Sequence, residues 1–471
     1  MFRLVALLCL LCTTYKLVLA NTYDVSKSGC KGDGKTINTN AIQRIIDRAS
    51  RDGGGTVYVP TGRFVTGTLQ LKSNVTLELS PGAVLLGAAV RSAYPLLKST
   101  ERRIAGNYAL IFADGQYNIG ITGAGSIDGQ GDARVFQSGK DDAYERPFLV
   151  VLYRCRQVRL EKTTFRNAAS WTTHLSDCDQ VTVRGLHIWG HANQNNDGLD
   201  LDGCHNVTVA DCLIDATDDA LCLKAQNRAC QYITVTNCVL STHSNAIKFG
   251  TVSNGGFKHI SISNIIVRPS EAKTFNSPFG LREGITGIAL ESVDGGTLEN
   301  VLIQQIMMDS IHVPIFLKIG DRGRRSLAQV AQLRNIRLQN ITAYHAGITS
   351  SSITGMPGRL VENVVLKDIY ISCKGGGTVA DANVTSVGEN TSGYPDPRWF
   401  GGNLPSYGLY VRHAKGLTLD NVQFVLEGTD ARPAVLLDDV SDSSLERVVA
   451  PAGQAGQPGV KSQNVRQVRG L

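Results

Sequence analysis

Val181-Thr-Val183, Val207-Thr-Val209, Ile233-Thr-Val235 and Ile260-Ser-Ile262 repeat one phrase four times, with starting residues 26, 26 and 27 apart. The phrase returns at Val301, Ile336, Val364 and Leu417, where the irregular gaps predict long loops between coils. Each copy is short, β-branched and alternating, which is the pattern of a strand rather than a helix. A repeat of about 25 residues holding several short strands fits a parallel β-helix. The LxxLxL spacing of a leucine-rich horseshoe is missing, and propeller blades of about 40 residues do not fit.

Anchoring on this phrase stacks the preceding strands as Thr172–Ser176, Gly198–Asp202, Ala220–Lys224, Ala246–Gly250, Gly287–Glu291 and Pro314–Lys318. Two columns are apolar: Leu199, Leu221, Ile247, Ile288, Ile315, and Leu201, Leu223, Phe249, Leu290, Leu317. Side chains alternate along a strand, so these columns face the interior. The outward columns then carry His174, Asp200, Cys222, Lys248, Ala289, Phe316, and Ser176, Asp202, Lys224, Gly250, Glu291, Lys318. Trp171, Asp197, Asp219, Asn245 and Thr286 stand just before the strands, and Asp218 lies one residue earlier.

With coils about 4.8 Å apart, Asp197, Asp218, Asp219, Asp200 and Asp202 crowd one patch. Like charges at such range raise at least one pKa, and a fold gains nothing from the crowding, so the patch is a candidate functional site. Carboxylate-based hydrolysis is the leading expectation. A calcium site on the same oxygens and a merely solvated acidic face are the alternatives. No metal and no cofactor are assigned.

The first twenty residues, with Arg3, the apolar run Leu4 to Leu11 and small Val18 and Ala20, read as a secretory signal peptide. A single domain is expected over 21–450, with 451–471 as a frayed tail. Ala41, Ile42, Ile45, Ile46 and Ala49 have helical spacing, and Asn40 with Gln43 resembles a capping box. An amphipathic helix capping the first coil is expected there, stopped by Gly53-Gly54-Gly55. The net charge of +6, or +4 without Arg3 and Lys16, is far from the footprint of a nucleic-acid binder. No later run of eighteen apolar residues suggests a membrane span. An extracellular monomer is expected, with sequons at Asn74, Asn206, Asn340, Asn383 and Asn390. Cys178 stacks on Cys204 and Cys212 on Cys238, compatible with disulfides or with buried thiols.

Together these residues resemble glycoside hydrolase family 28, the polygalacturonases and related pectin-backbone hydrolases. The family's Asn-Thr-Asp motif appears as Asn195-Asn196-Asp197 and its Asp-Asp pair as Asp218-Asp219. Gly32–Thr36, Gly54–Pro60, Ile127–Gly131, Ser170–His174 and Tyr394–Pro397 follow in the family's order. The resemblance implies a right-handed, single-stranded parallel β-helix and an inverting hydrolase of a pectic polysaccharide. It implies Asp218 as general acid, with Asp197 and Asp219 activating water. Inversion calls for carboxyls about 6.5–9.5 Å apart. Two family positions differ: Asn245 stands in place of a histidine, and Ala289 and Glu291 in place of the Arg and Lys that grip a substrate carboxylate. Lys248, Lys224 and His243 are candidate substitutes, the lysines alternatively neutralising Asp200 and Asp202, and His243 alternatively a surface turn residue. Trp171 is a candidate sugar platform or a packing residue. The departures leave open a different glycan, such as rhamnogalacturonan, a lyase, or a non-catalytic glycan-binding β-helix.

Overall fold

The computed structural model describes residues 21–98, 107–137, 145–273, 276–277, 280–324, 330–400, 402–453 and 458–471. The predicted signal peptide lies outside the described residues. The chain winds into a parallel β-helix whose strands join in one 34-stranded hydrogen-bonded array, each strand pairing with its counterpart on the next coil. The repeated phrase stacks in the expected register. Val181 pairs with Val207, Val207 with Ile233, Ile233 with Ile260, Ile260 with Val301, Val301 with Ile336 and Ile336 with Val364.

The inward columns form the core. Leu199, Leu221, Ile247, Ile288 and Ile315 are at most 1% exposed, each burial contributing roughly 1.5–3 kcal/mol. Cys30, Cys155, Cys178, Cys204, Cys212, Cys222, Cys230, Cys238 and Cys373 are all buried free thiols. The stacked Cys178 and Cys204 donate to the carbonyls of Leu152 and Leu175. At one corner the chain turns through a left-handed residue on successive coils: Asn206, Tyr232, His259, Asn300, Asn335 and Asn363, with φ of 53–57°. Asparagine tolerates this region best, and its amides add a ladder: Asn335 Nδ2 donates to Asn300 Oδ1 at 3.1 Å and Asn363 Nδ2 to Asn335 Oδ1 at 3.2 Å.

The N-terminal cap is helix Thr39–Arg51, which buries Ile42, Ile45, Ile46 and Ala49. Its N-cap is Asn38, not Asn40, and the expected capping box is absent. Gln43 instead pairs with the backbone of Gln70, accepting from its N–H at 2.8 Å and donating to its carbonyl at 3.0 Å. A long-range strand edge outcompetes the local cap. Gly54 is required where the helix meets the first coil, because a Cβ there would lie 2.7 Å from the Asn74 carbonyl oxygen. At the other end, the stretch expected to fray contributes strands Val460–Gln463 and Arg466–Arg469, both paired with Val435–Val449. Among the described residues, no helix is long and apolar enough to cross a membrane.

Candidate active site

Asp197 leaves the wall because the turn before it is pinned. Asn195 is left-handed at φ 58°. Asn196, fully buried, donates to the carbonyls of Ala168 at 3.0 Å and Ser170 at 2.6 Å and accepts from Asn193 N–H at 2.8 Å. Gly198 follows because any Cβ would sit 2.5 Å from Ala220 O. On the next coil Thr217 Oγ1 donates to Asn193 O at 2.9 Å, tying the Asp218-Asp219 corner to the Asp197 turn. Arg146, 2% exposed, clamps the same turn through the carbonyls of Ala169 and Gln194, both at 2.8 Å, and Asn195 Oδ1 at 3.2 Å.

Of the five predicted carboxylates, three converge. One oxygen from each of Asp197, Asp218 and Asp219 lies within 4.8 Å of the other two. The other two are tied off. Asp200 pairs with Lys224, and Asp202 accepts from Gln226 N–H at 2.8 Å with His174 Nε2 3.5 Å away. Asp197 and Asp219 are each 4% exposed, while Asp218 is the most open of the three. The gap is narrower than the expected 6.5–9.5 Å. It matches one water bridging two carboxylate oxygens, which at ordinary hydrogen-bond lengths and a tetrahedral angle spans ~4.6 Å.

Two buried lysines set the charge. Lys224 Nζ stands 3.4 Å from Asp197 Oδ2 and beside Asp200. Lys248 Nζ stands 3.2 Å from Asp219 Oδ2 and donates to Tyr394 Oη at 2.8 Å. Burial disfavours each ammonium, yet the carboxylates, Asp200 foremost for Lys224 and Asp219 for Lys248, hold both above the usual lysine range. Burial raises Asp219 too, but Lys248, then Lys224, and a 2.7 Å hydrogen bond from Asn245 Nδ2 bring it below the ordinary carboxylate range. Asp218 moves the other way, raised by burial and then by Asp219. Asp197 is raised furthest, by burial, then Asp200 and Asp218. The cluster therefore pushes the carboxylates in opposite directions, Asp219 down and its two neighbours up, the division that acid–base chemistry uses.

The remaining candidates separate. Asn245 joins the site through Asp219. His243 does not: it is buried, not a surface turn residue, and its ring lies 5.4 Å from that of His191. Burial, then His191, pushes its pKa down to about 4. The Trp171 indole has Phe148 stacked at 5.3 Å and Lys224 Nζ 4.6 Å from its centroid, so packing and charge account for it. Glu291 is 1% exposed with Oε2 lacking a hydrogen-bond partner, and burial raises its pKa to about 7 against Lys248. Ala289 is buried against Phe316 and Phe400. The sequence reading does not reach Arg146 or Ser244 (Oγ to Asp219 Oδ1, 3.2 Å), and it names Asn195 (Nδ2 to Asp218 Oδ2, 3.4 Å) only as part of the motif. Ser244 and Asn195 adjoin predicted residues. Arg146 gives no local signal.

Comparison with known proteins identifies the family and the fold. The family described as Glycosyl hydrolases family 28 matches residues 53–392. A probable polygalacturonase of Vitis vinifera is 29% identical over 363 residues, covering 70% of this chain and 71% of the relative. The crystal structure of an exopolygalacturonase from Thermotoga maritima superposes with a TM-score of 0.66 at 19% identity, covering 86% of this chain and 91% of the other. A family 28 exopolygalacturonase of Yersinia enterocolitica gives 0.66 at 21% identity, covering 95% and 78%.

Proposed function

The chain belongs to family 28 of the glycosyl hydrolases, and from that premise we propose that it cleaves a pectic polysaccharide through Asp197, Asp218 and Asp219. The observation that carries the reading is the three-carboxylate cluster with divided charge. Asp218, the most open, protonates the glycosidic oxygen. Asp219, held ionised by Lys248, takes the proton of the attacking water, and Asp197 orients that water. The family resemblance, rather than the oxygen spacing, is what supports inversion at the anomeric carbon. Two ammonium groups already answer the cluster's negative charge, which favours acid–base hydrolysis over a calcium-dependent elimination.

Asp218→Asn tests the roles: reducing-sugar release from pectic substrates is expected to fall roughly 10²–10⁴-fold. Release at near wild-type rate would sink the mechanism. The anomer of the first product, read by NMR, checks inversion independently.

One observation favours a narrower substrate. Ala289 and Glu291 leave no cation where the resemblance puts two. Lys224, Lys248, Lys318 and Arg322 are all engaged by protein groups. A pectic glycan with a neutral sugar beside the scissile bond, as in rhamnogalacturonan, suits such a site. Faster cleavage of rhamnogalacturonan than of polygalacturonate, assayed side by side, would establish it. Export as a glycosylated protein accords with residues 1–20 and with exposed sequon asparagines Asn340 and Asn383. N-terminal sequencing of secreted material, and its mass before and after deglycosylation, test this.

A further inference from the structure

Two arginines lie buried among the described residues, Arg432 and Arg146, and they hold different things. Arg432 pairs with Asp430 and fastens the long connection between Cys373 and Leu409, donating to Leu404 O at 3.0 Å while Asp430 accepts from Gly377 N–H at 2.8 Å. That connection roofs the later coils, its Val387, Phe400 and Leu404 packing with Ala289, Phe316, Tyr410 and Leu436. Arg146 stands at the foot of strand Phe148–Tyr153 and reaches two coils onward, to the turn before Leu199–Asp202. Its Nη1 donates to the carbonyls of Ala169 and Gln194, which holds the turn, and its Nη2 donates to Asn195 Oδ1 at 3.2 Å. That third bond meets a side chain that goes on to the catalytic cluster, since Asn195 Nδ2 lies 3.4 Å from Asp218 Oδ2.

A side-chain amide can present either end, but a guanidinium can only donate. Asn195 must therefore turn its carbonyl oxygen to Arg146, which leaves its NH2 facing Asp218. The other Asp218 oxygen, Oδ1, accepts from Asp219 N–H at 3.0 Å, so both oxygens meet donors. Donors favour the ionised carboxylate and oppose burial and the charge of Asp219, which raise this acid. An acid that holds its proton too firmly delivers it poorly to a leaving oxygen. With the amide reversed, Asn195 Oδ1 would accept from protonated Asp218 and hold that proton back. We propose that Arg146 is a positioning residue: by fixing the direction of the Asn195 amide, it keeps a donor on Asp218 and eases release of the catalytic proton. The inference rests on the hydrolase reading above, with Asp218 as the acid. The relay joins positions 49 and then 23 residues apart, so no local pattern announces it.

The test is the pH dependence of kcat for the full-length protein, read as reducing-sugar release from polygalacturonate and rhamnogalacturonan. Arg146→Gln offers both a donor and an acceptor, so the direction of Asn195 is no longer imposed, whereas Arg146→Lys still only donates. Losing the donor disfavours ionised Asp218. Arg146→Gln should therefore move the basic limb, where the acid loses its proton, up by about one pH unit, the effect of about one hydrogen bond. Arg146→Lys should leave that limb in place, although both variants loosen the turn and lower the thermal midpoint. Asn195→Ala should raise the limb as Arg146→Gln does, and the double variant should raise it no further. A limb unmoved in folded Arg146→Gln would leave Arg146 a clamp of the turn and overturn the relay. Shifts that add in the double variant would overturn it too, because Arg146 would then act by its charge. If Arg146→Gln does not fold, Arg146→Lys and Asn195→Ala decide together: the relay requires an unmoved limb in the first and a raised one in the second, and any other pair of outcomes overturns it. A wild-type protein that cleaves no pectic polymer would overturn the hydrolase reading and this one with it; the other outcomes touch this one alone.

Discussion

The coils carrying residues 171–250 and those from 284 onward are built on the same inward columns and finished differently outside. In the first group the outward positions are His174, Asp200, Cys222 and Lys248; in the second they are Ala289, Phe316, Ser352, Tyr410 and Leu436. The interior does not distinguish them: Ile247 and Ile315 are equally buried. The outward face of a solenoid contributes little to winding it, so that face is free to hold charge where connections are short and to be roofed where one is long.

The sharpest way to break the comparison is Asp219→Asn, an outward change in the first group. It should lower kcat about a thousandfold while leaving circular dichroism unchanged. An inactive but unfolded variant would mean the charged face does support the fold. In the second group Arg432→Met removes half of a fully buried pair. About 3–5 kcal/mol of stability should go with it, read by denaturant unfolding. A neutral result would show that the roof is not anchored there.

Glu291 sits at the boundary between the groups. Burial lifts its folded pKa to about 7 from the ordinary 4.5, so the stability it contributes is complete below pH 4.5 and lost as pH rises through 7. The amount is about 3 kcal/mol, and Glu291→Gln should flatten that slope. Lys248→Met removes the largest influence lowering Asp219. The acid limb of kcat/KM should then move up by about 1–3 pH units, whereas a shift confined to KM would make Lys248 a substrate ligand instead. The smallest effect is the control. Ile247→Val and Ile315→Val should each cost about 1 kcal/mol, and a clear difference between them would contradict the shared interior.

Much of the fold was legible because a strand's period of two and a coil's near-constant length leave few registers. The columns from Leu199 to Leu317 followed from spacing alone and stand as read. The cap of the first helix is not legible locally: Asn40 and Gln43 match a capping motif, while Gln43 has a better partner in Gln70, 27 residues on. The last strands are not legible because a Gly-, Gln- and Pro-rich composition conceals short edge strands that pair with Val435–Val449.

By itself, the sequence determined the winding and the presence of five aspartates on one face, since both depend on periodicity. The tertiary structure alone decided that Asp197, Asp218 and Asp219 converge while Asp200 and Asp202 are tied off, that Lys248 serves Asp219, and that Tyr394 reaches Lys248 across 146 residues. Spacing states which way a side chain leaves a strand. Charge state and cleft shape depend on distances of a few ångströms and on burial, and these are set by connections whose paths no local pattern encodes.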